Sequence, residues 1–327
     1  MHIPCGPAGC LRALLAGLVA IASVASAQPY PSKAIRLTVG FTPGSGADIV
    51  ARTIGDRMIE TLGQQVIIEN RPGAGGSLAT ERVLQSPPDG YNLLLLTSSA
   101  PIQIALKGNQ LRHNLISDIA PVSLAVIGPL LVITHPSVPA RDIRQLLALA
   151  RTQPGVLAYG SSGVGSSAHL AAAMMASMAN LKLVHVPYKG SGEAVIGVTT
   201  GEVAIGFPSA ASALSLIAAG RLRALAITTE ERVPFLPEIP TLGESGIKGY
   251  DFTIWYSVVA PAGTPRSIVQ RLNEAIVKAA GQPALRNEIN RQGLAPKAST
   301  PEQLGEFIKK EIAKSVKLID ATGIKAE

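Results

Sequence analysis

Apolar and polar positions along this chain follow two rhythms, which take turns almost from end to end. Short apolar runs read as strands, and stretches whose apolar residues recur every three or four positions read as helices. The segment 35–39 (IRLTV) predicts a strand. From about Asp48, the positions Val50, Ile54, Met58 and Leu62 share one helical stripe, and Gly63 stands where a left-handed cap ends it. A strand at 66–68, a glycine turn at 71–76 and a helix at 77–85 follow. After the turn Pro87-Pro88-Asp89-Gly90, the run 92–97 (NLLLLT) is uncharged throughout, the pattern of a strand buried on both faces.

The rest of the chain predicts strands at 130–134, 156–160, 183–186, 203–207 and 222–228. Between them come helices at 142–151, after the loop 161–167, at about 193–199 and at 209–219. Strands and helices alternating at this spacing need crossover connections, so they predict an α/β fold with mainly parallel sheets covered on both faces. The stretch 230–249, with Pro234, Pro237 and Pro240, reads as a surface connection. An extended strand at 251–260 comes next. Helices then begin near Thr264-Pro265 and Thr300-Pro301, each pairing a polar N-cap with proline at the first helical position.

Residues 1–27 have the layout of an export signal: Arg12, an uncharged apolar stretch at 13–24, and an A-x-A cleavage site at Ala25-Ser26-Ala27. That stretch is shorter than the roughly 20 apolar residues of a membrane span. Cys10 precedes it, whereas a lipid-attachment cysteine would follow it. Cleavage after Ala27 removes both cysteines, Cys5 and Cys10, and lowers the formal charge from +7 to +6. The expectation is a soluble periplasmic protein with no disulfide, thiol nucleophile or thiolate metal site. It is long enough for two domains. Its basic charge is diffuse and aromatics are scarce, which argues against nucleic acid as a partner.

Three glycine-rich turns lie between a strand and a helix: 40–48 (GFTPGSGAD), 71–77 (RPGAGGS) and 160–167 (GSSGVGSS). Glycines let backbone N–H groups approach a ligand closely, and the following helix adds the positive end of its dipole, so an anion is favoured there. Ser45, Ser161, Ser162, Ser166 and Ser167 add hydroxyls that can donate to carboxylate oxygens. Such turns also serve as plain tight connections, and the residues alone leave both roles open.

Sharper chemistry is missing. Gly163-Val164-Gly165-Ser166-Ser167-Ala168 has the spacing of a dinucleotide turn, but no acid follows until Glu193. No P-loop is present, and Gly160-Ser161-Ser162-Gly163 is one residue short of a nucleophile elbow. Ser167 and His169 lie two apart at a helix start, so His169 reads as a packing or capping group rather than a general base. His113, His135 and His185 are scattered without metal-ligand spacing, and no cofactor is implied. Lys189 is either a solvated loop lysine or a cation near a ligand. Trp255-Tyr256 reads as core or hinge packing.

Taken in order, several segments carry a resemblance: YPSKAIRLTVGFTPGSGADIVAR (30–52), ENRPGAGGS (69–77), DGYNLLLLTSS (89–99), YGSSGVGSSAHLA (159–171), HVPYKGS (185–191) and WYSVVAPAGTP (255–265). The chain resembles the Bug/TctC family of extracytoplasmic solute receptors, which are associated with tripartite tricarboxylate transporters. The resemblance implies a type II periplasmic-binding-protein fold, with two lobes joined by crossing strands near 125–130 and 251–258. Lobe 1 would comprise 28–127 plus 253–327, and lobe 2 would comprise 128–252. It further implies ligand contacts from Phe41, Thr42, Gly44, Ser45, Gly46, Ala47 and Asp48, with Thr97, Ser98 and Ser99 closing that side. The opposing wall would be Ser161, Ser162, Gly163, Val164, Gly165, Ser166 and Ser167, together with Ser209.

Two departures from the family pattern bear on the ligand. Ser45 stands where glycine is frequent, and Ala47 lacks a frequent hydroxyl. In Phe207-Pro208-Ser209-Ala210 no carboxylate or amide follows the phenylalanine, so one partner for a ligand ammonium is missing. The implied function is capture of a small organic carboxylate without an α-amino group. A monomeric, non-enzymatic receptor would deliver it to integral-membrane transporter subunits. Two alternatives stand beside this: a periplasmic co-receptor for a signalling kinase, and an exported hydrolase. A Ser–His pair within hydrogen-bond distance would revive the latter.

Overall fold

The computed structural model describes residues 30–325. The leader expected at 1–27 lies outside them. Residues from Lys33 onward form one compact unit, to which this description is confined. Among the described residues no helix is long and apolar enough to cross a membrane, and no group of three His, Cys, Asp or Glu could hold a metal ion.

The first strand, β1 (Ile35–Val39), leads into helix α1 (Gly46–Leu62). Val50, Ile54, Met58 and Leu62 are buried as one stripe, and Gly63 closes the helix at φ 68°. β2 (Val66–Asn70), α2 (Ser77–Leu84) and β3 (Asn92–Thr97) follow. β1 pairs in parallel with both β2 and β3. Leu93 to Leu96 are all at most 1% exposed, as an uninterrupted apolar run requires when a strand is covered on both faces. α3 (Ser99–Lys107) precedes the long strand β4 (Ile119–Pro129).

At Leu130 the chain leaves this sheet. A second sheet is built from β5 (Leu131–Thr134), β6 (Ala158–Ser161), β7 (Val184–Pro187), β8 (Ile205–Gly206) and β9 (Arg223–Ile227). Its helices are α4 (Ile143–Thr152), α5 (Ser167–Ala179), α6 (Ser191–Thr199) and α7 (Ala210–Ala218). The chain returns at Phe252, whose N–H donates to Thr228 O, and enters β10 (Thr253–Pro261). α8 (Arg266–Gly281), α9 (Pro283–Arg291), β11 (Ala295–Pro296) and α10 (Pro301–Thr322) complete the fold.

The strand orders are β11-β4-β10-β3-β1-β2 and β7-β6-β8-β5-β9. Both sheets are mixed rather than wholly parallel. β10 runs antiparallel to β3 and β4, and β5 runs antiparallel to β8 and β9. The reversed strands are those next to the two passages between sheets, where the chain must turn back on itself. α10 packs against α3 and β4 on one side and α5 on the other, so it spans both halves.

Three local expectations shift. The strand expected at 203–207 shortens to Ile205–Gly206, and the one at 156–160 begins only at Ala158, after a turn closed by Gly155 N–H donating to Lys182 O. Thr264 does not cap α8: its hydroxyl donates to Pro261 O at 2.7 Å and so closes the turn after β10. Thr300 does cap α10, in a full capping box with Gln303. α3 and α9 have no counterpart among the elements expected from the sequence.

Candidate functional site

The turn after β1 is pinned by its own residues. Ser45 is extended (φ −68°, ψ 157°), and its side chain accepts from Asp48 N–H at 3.2 Å, capping α1. The Asp48 carboxylate is 4% exposed. It accepts from Gly44 N–H at 3.0 Å, Asn70 Nδ2 at 2.9 Å and Arg52 Nε at 3.2 Å, and pairs with Arg52 Nη2 at 2.9 Å. Burial pushes its pKa up, but the hydrogen bonds from Arg52, Gly44 and Asn70 outweigh burial and hold it below the ordinary carboxylate range. Asp48 is thus occupied in fastening the turn.

The facing turn, after β6, is fastened by two histidines. Ser166 caps α5 by accepting from His169 N–H at 3.2 Å, and His169 Nδ1 accepts from Gly165 N–H at 3.2 Å. The His169 ring stacks on His185 at 3.9 Å between centroids and 8° between planes, and Tyr159 stacks on His185 from 5.0 Å. Burial, helped by the neighbouring His185, pushes the His169 pKa down to about 4. Ser161 Oγ lies 2.6 Å from His185 Nε2 and accepts from Gly163 N–H at 3.1 Å. The packing and capping role expected of His169 is what its contacts provide. The Ser–His contact forms at a pair that the sequence had not joined, because β7 brings His185 beside β6.

Between the turns lies a cavity enclosing about 400 Å³ of empty space, part of it open to solvent. Its hydroxyl-bearing walls are Ser45, Thr97, Ser98, Ser99, Ser162, Ser167, Ser191, Ser209 and Tyr256; its apolar walls are Phe41, Ala47, Leu130, Ala168, Phe207 and Ile254. None of these carries a charge, since burial pushes the Tyr256 phenol up to about 12 despite its hydrogen bond with Ser209. Yet five helices begin at this wall: α1 at Ser45–Ala47, α3 at Ser98–Ser99, α5 at Ser167–Ala168, α6 at Ser191 and α7 at Ser209. Each brings first-turn N–H groups that lack partners within the helix, and roughly half a positive elementary charge, to its end, although Ser45, Ser166 and Ser99 take the Asp48, His169 and Ser167 N–H groups. Uncharged side chains therefore line a space of positive potential.

The two halves touch across the cavity. Ser167 Oγ is 2.8 Å from Ser98 Oγ and 3.2 Å from Ser99 Oγ, and Ser167 N–H donates to Ser99 Oγ at 3.1 Å. Gln103 Nε2 donates to Val164 O at 2.7 Å. Gly46 lies so close to Ser209 and Tyr256 that a Cβ there would overlap the Ser209 hydroxyl. These contacts hold the two halves together.

Of the expected residues, the structure brings Phe41, Ser45, Ala47, Thr97, Ser98, Ser99, Ser162, Ser167 and Ser209 to the cavity. Thr42, Gly44, Gly46, Asp48, Ser161, Gly163, Val164, Gly165 and Ser166 are not in its lining. They form the turns behind it: Thr42 packs against Gly190, Asp48 ties down Gly44, Ser161 binds His185, and Ser166 caps α5. Lys189 is exposed and away from the cavity; its N–H donates to Glu193 Oε2 at 3.2 Å. The sequence reading missed Leu130, Ala168, Ser191, Phe207, Ile254 and Tyr256 as lining. Leu130 and Ile254 sit beside the two passages between sheets, and Ser191, the last residue of the segment HVPYKGS, opens α6. That position at a helix start was the available signal.

Residues 50–324 match the family described as the tripartite tricarboxylate transporter family receptor. The protein BugT of Bordetella pertussis is 35% identical over 306 residues, 93% of this chain and 94% of that protein. Among solved structures, Rpa4515 of R. palustris with adipate superposes with a TM-score of 0.88 at 31% identity, covering 90% of this chain and 99% of that one. MatC of Rhodopseudomonas palustris with bound malate gives 0.84 at 28% identity, covering 89% and 100%.

Proposed function

Because the chain belongs to the tripartite tricarboxylate transporter receptor family, we propose that its interlobe cavity captures a small organic carboxylate for delivery to membrane subunits of such a transporter. The observation that carries this reading is the convergence of five helix starts and a ring of buried hydroxyls on a cavity without a charged side chain. A carboxylate bound there would be neutralised by N–H and O–H donors, whose positions are fixed before binding. Phe41, Ser45, Ala47, Thr97, Ser98, Ser99, Ser162, Ser167 and Ser209 would be its contacts, and the turns behind them would hold the backbone. Solved relatives were obtained with adipate and with malate, which supports a carboxylate ligand here.

Pro208 and the absence of any carboxylate in the cavity wall leave an ammonium group without a charged partner, which supports a ligand that lacks an α-amino group. The protein acts as a monomer in the periplasm, and its halves, 28–127 plus 253–327 and 128–252, open about Leu130 and Phe252 to admit the ligand. The test is thermal unfolding of the 28–327 protein with mono-, di- and tricarboxylates and acidic amino acids. Ligand at about a hundred times its Kd adds about 2.7 kcal/mol, a rise of several degrees in Tm. Silence from every carboxylate, or binding confined to aspartate and glutamate, would overturn the proposal.

A hydrolase is favoured by one observation only, the 2.6 Å contact between Ser161 and His185. Ser161 is 0% exposed, and its hydroxyl accepts from Gly163 N–H and lies 3.2 Å from Gly163 O, so it fastens its own turn rather than standing free as a nucleophile. Steady turnover of a chromogenic ester, lost in Ser161→Ala, would reverse that judgement.

A further inference from the structure

A second void lies beside the ligand cavity in the half built on the second sheet. It shares Ser162, Ala168, Ser191 and Phe207 with the cavity, so the two adjoin. Its inner walls are apolar: Ile133, Ala194, Val195, Phe207 and Pro208. α6 explains the division of labour. Ser191 at its first position faces the shared mouth, and Ala194 and Val195, three and four residues on, lie on the same helical face one turn deeper.

The polar groups deep in this void are engaged. The Ser161 oxygen is bonded by His185 and Gly163, and Gly206 is held in the ladder between Gly160 and Ile133; the Ser162 and Ser191 hydroxyls belong to the lining shared with the cavity. A water molecule there would find few partners, and apolar voids of this kind stay dry. The free space between its walls is narrow, little more than one water molecule in size. That is room for one group of about methyl size.

We propose that this void is a subsite for an apolar branch, so that the ligand is a carboxylate bearing a methyl-sized substituent on its backbone. The inference rests on the carboxylate reading above and adds to it. Burying one such group is worth about fourfold in affinity, from about 0.8 kcal/mol per CH2. The walls are chiral, so one enantiomer gains and the other does not.

The experiment is calorimetric titration of the 28–327 protein with matched pairs: succinate and each enantiomer of 2-methylsuccinate, adipate and 3-methyladipate, butyrate and 2-methylbutyrate. Each pair is repeated with Ala194→Val, which fills the void, and Val195→Ala, which enlarges it. The expected result is about fourfold tighter binding of one branched enantiomer. Ala194→Val abolishes that gain while still binding the unbranched acid, and Val195→Ala extends it to an ethyl branch. Unbranched binding also shows that each variant is folded. Equal affinity for both members of every pair overturns the subsite alone. So does a gain that Ala194→Val leaves intact. No binding by any pair overturns the carboxylate reading and the subsite with it.

Discussion

Gln103 tests whether affinity depends on the closing of the two halves as well as on contacts with the ligand. Its side chain is 1% exposed and lies outside the ligand cavity. Its Nε2 reaches across the interface to donate to Val164 O at 2.7 Å. A Cβ at Gly165 (φ +70°) would come 2.5 Å from that nitrogen, so the facing turn is shaped around the amide. Gln103→Leu removes the bond only in the closed arrangement, because in an open one both groups face water. A net hydrogen bond is worth about 1 kcal/mol, and an unpaired Val164 carbonyl adds to the loss. Gln103 Oε1 has no partner in the closed arrangement, and removing it offsets part of that cost. The balance is about 1 kcal/mol against closure, or roughly fivefold weaker apparent binding. Calorimetry with the carboxylate found by thermal screening should show that loss, and stopped-flow should place it in the dissociation rate. Small-angle scattering should show a larger ligand-free radius, while Tm changes little. Unchanged affinity and unchanged scattering would refute the reasoning.

Three further outcomes follow from the geometry. The His169 pKa lies near 4 when folded, against about 6.5 unfolded, so the unfolded chain binds the extra proton. Its share of stability is therefore complete above about pH 6.5 and is lost as pH falls toward 4, by up to a few kcal/mol; chemical unfolding across that range should show a slope that flattens in His169→Gln. Asp48→Ala strips the acceptor from Gly44, Asn70 and Arg52, and should cost about 2–3 kcal/mol in urea unfolding, whereas an exposed carboxylate such as Glu302 removed in the same way should cost almost nothing. Trp255 is the single tryptophan; it is buried, bonds Glu311 Oε2 at 2.8 Å and precedes the cavity residue Tyr256, so ligand binding should change its emission, and Trp255→Phe should abolish that signal but leave calorimetric binding.

The sequence by itself determined much of this molecule, where the signal is local. The stripe Val50–Ile54–Met58–Leu62, the caps at Gly63 and Thr300, and the all-apolar run before Thr97 each depend on neighbours within a few residues, and each forms as read. The glycine- and serine-rich turns were legible for the same reason, since a turn that opens a helix announces its N–H groups in its own residues. Tertiary structure alone decided which residues of those turns face inward. Ser162 and Ser167 reach the cavity while Ser161 and Ser166 are spent on His185 and on the cap of α5. It also decided that Ser191, Phe207 and Tyr256 join them, and that Ser167 meets Ser98 and Ser99 from the opposite half. These contacts join residues dozens of positions apart. They depend on how two sheets pass the chain between them at Leu130 and Phe252, and no local pattern of apolar and polar positions encodes that distance.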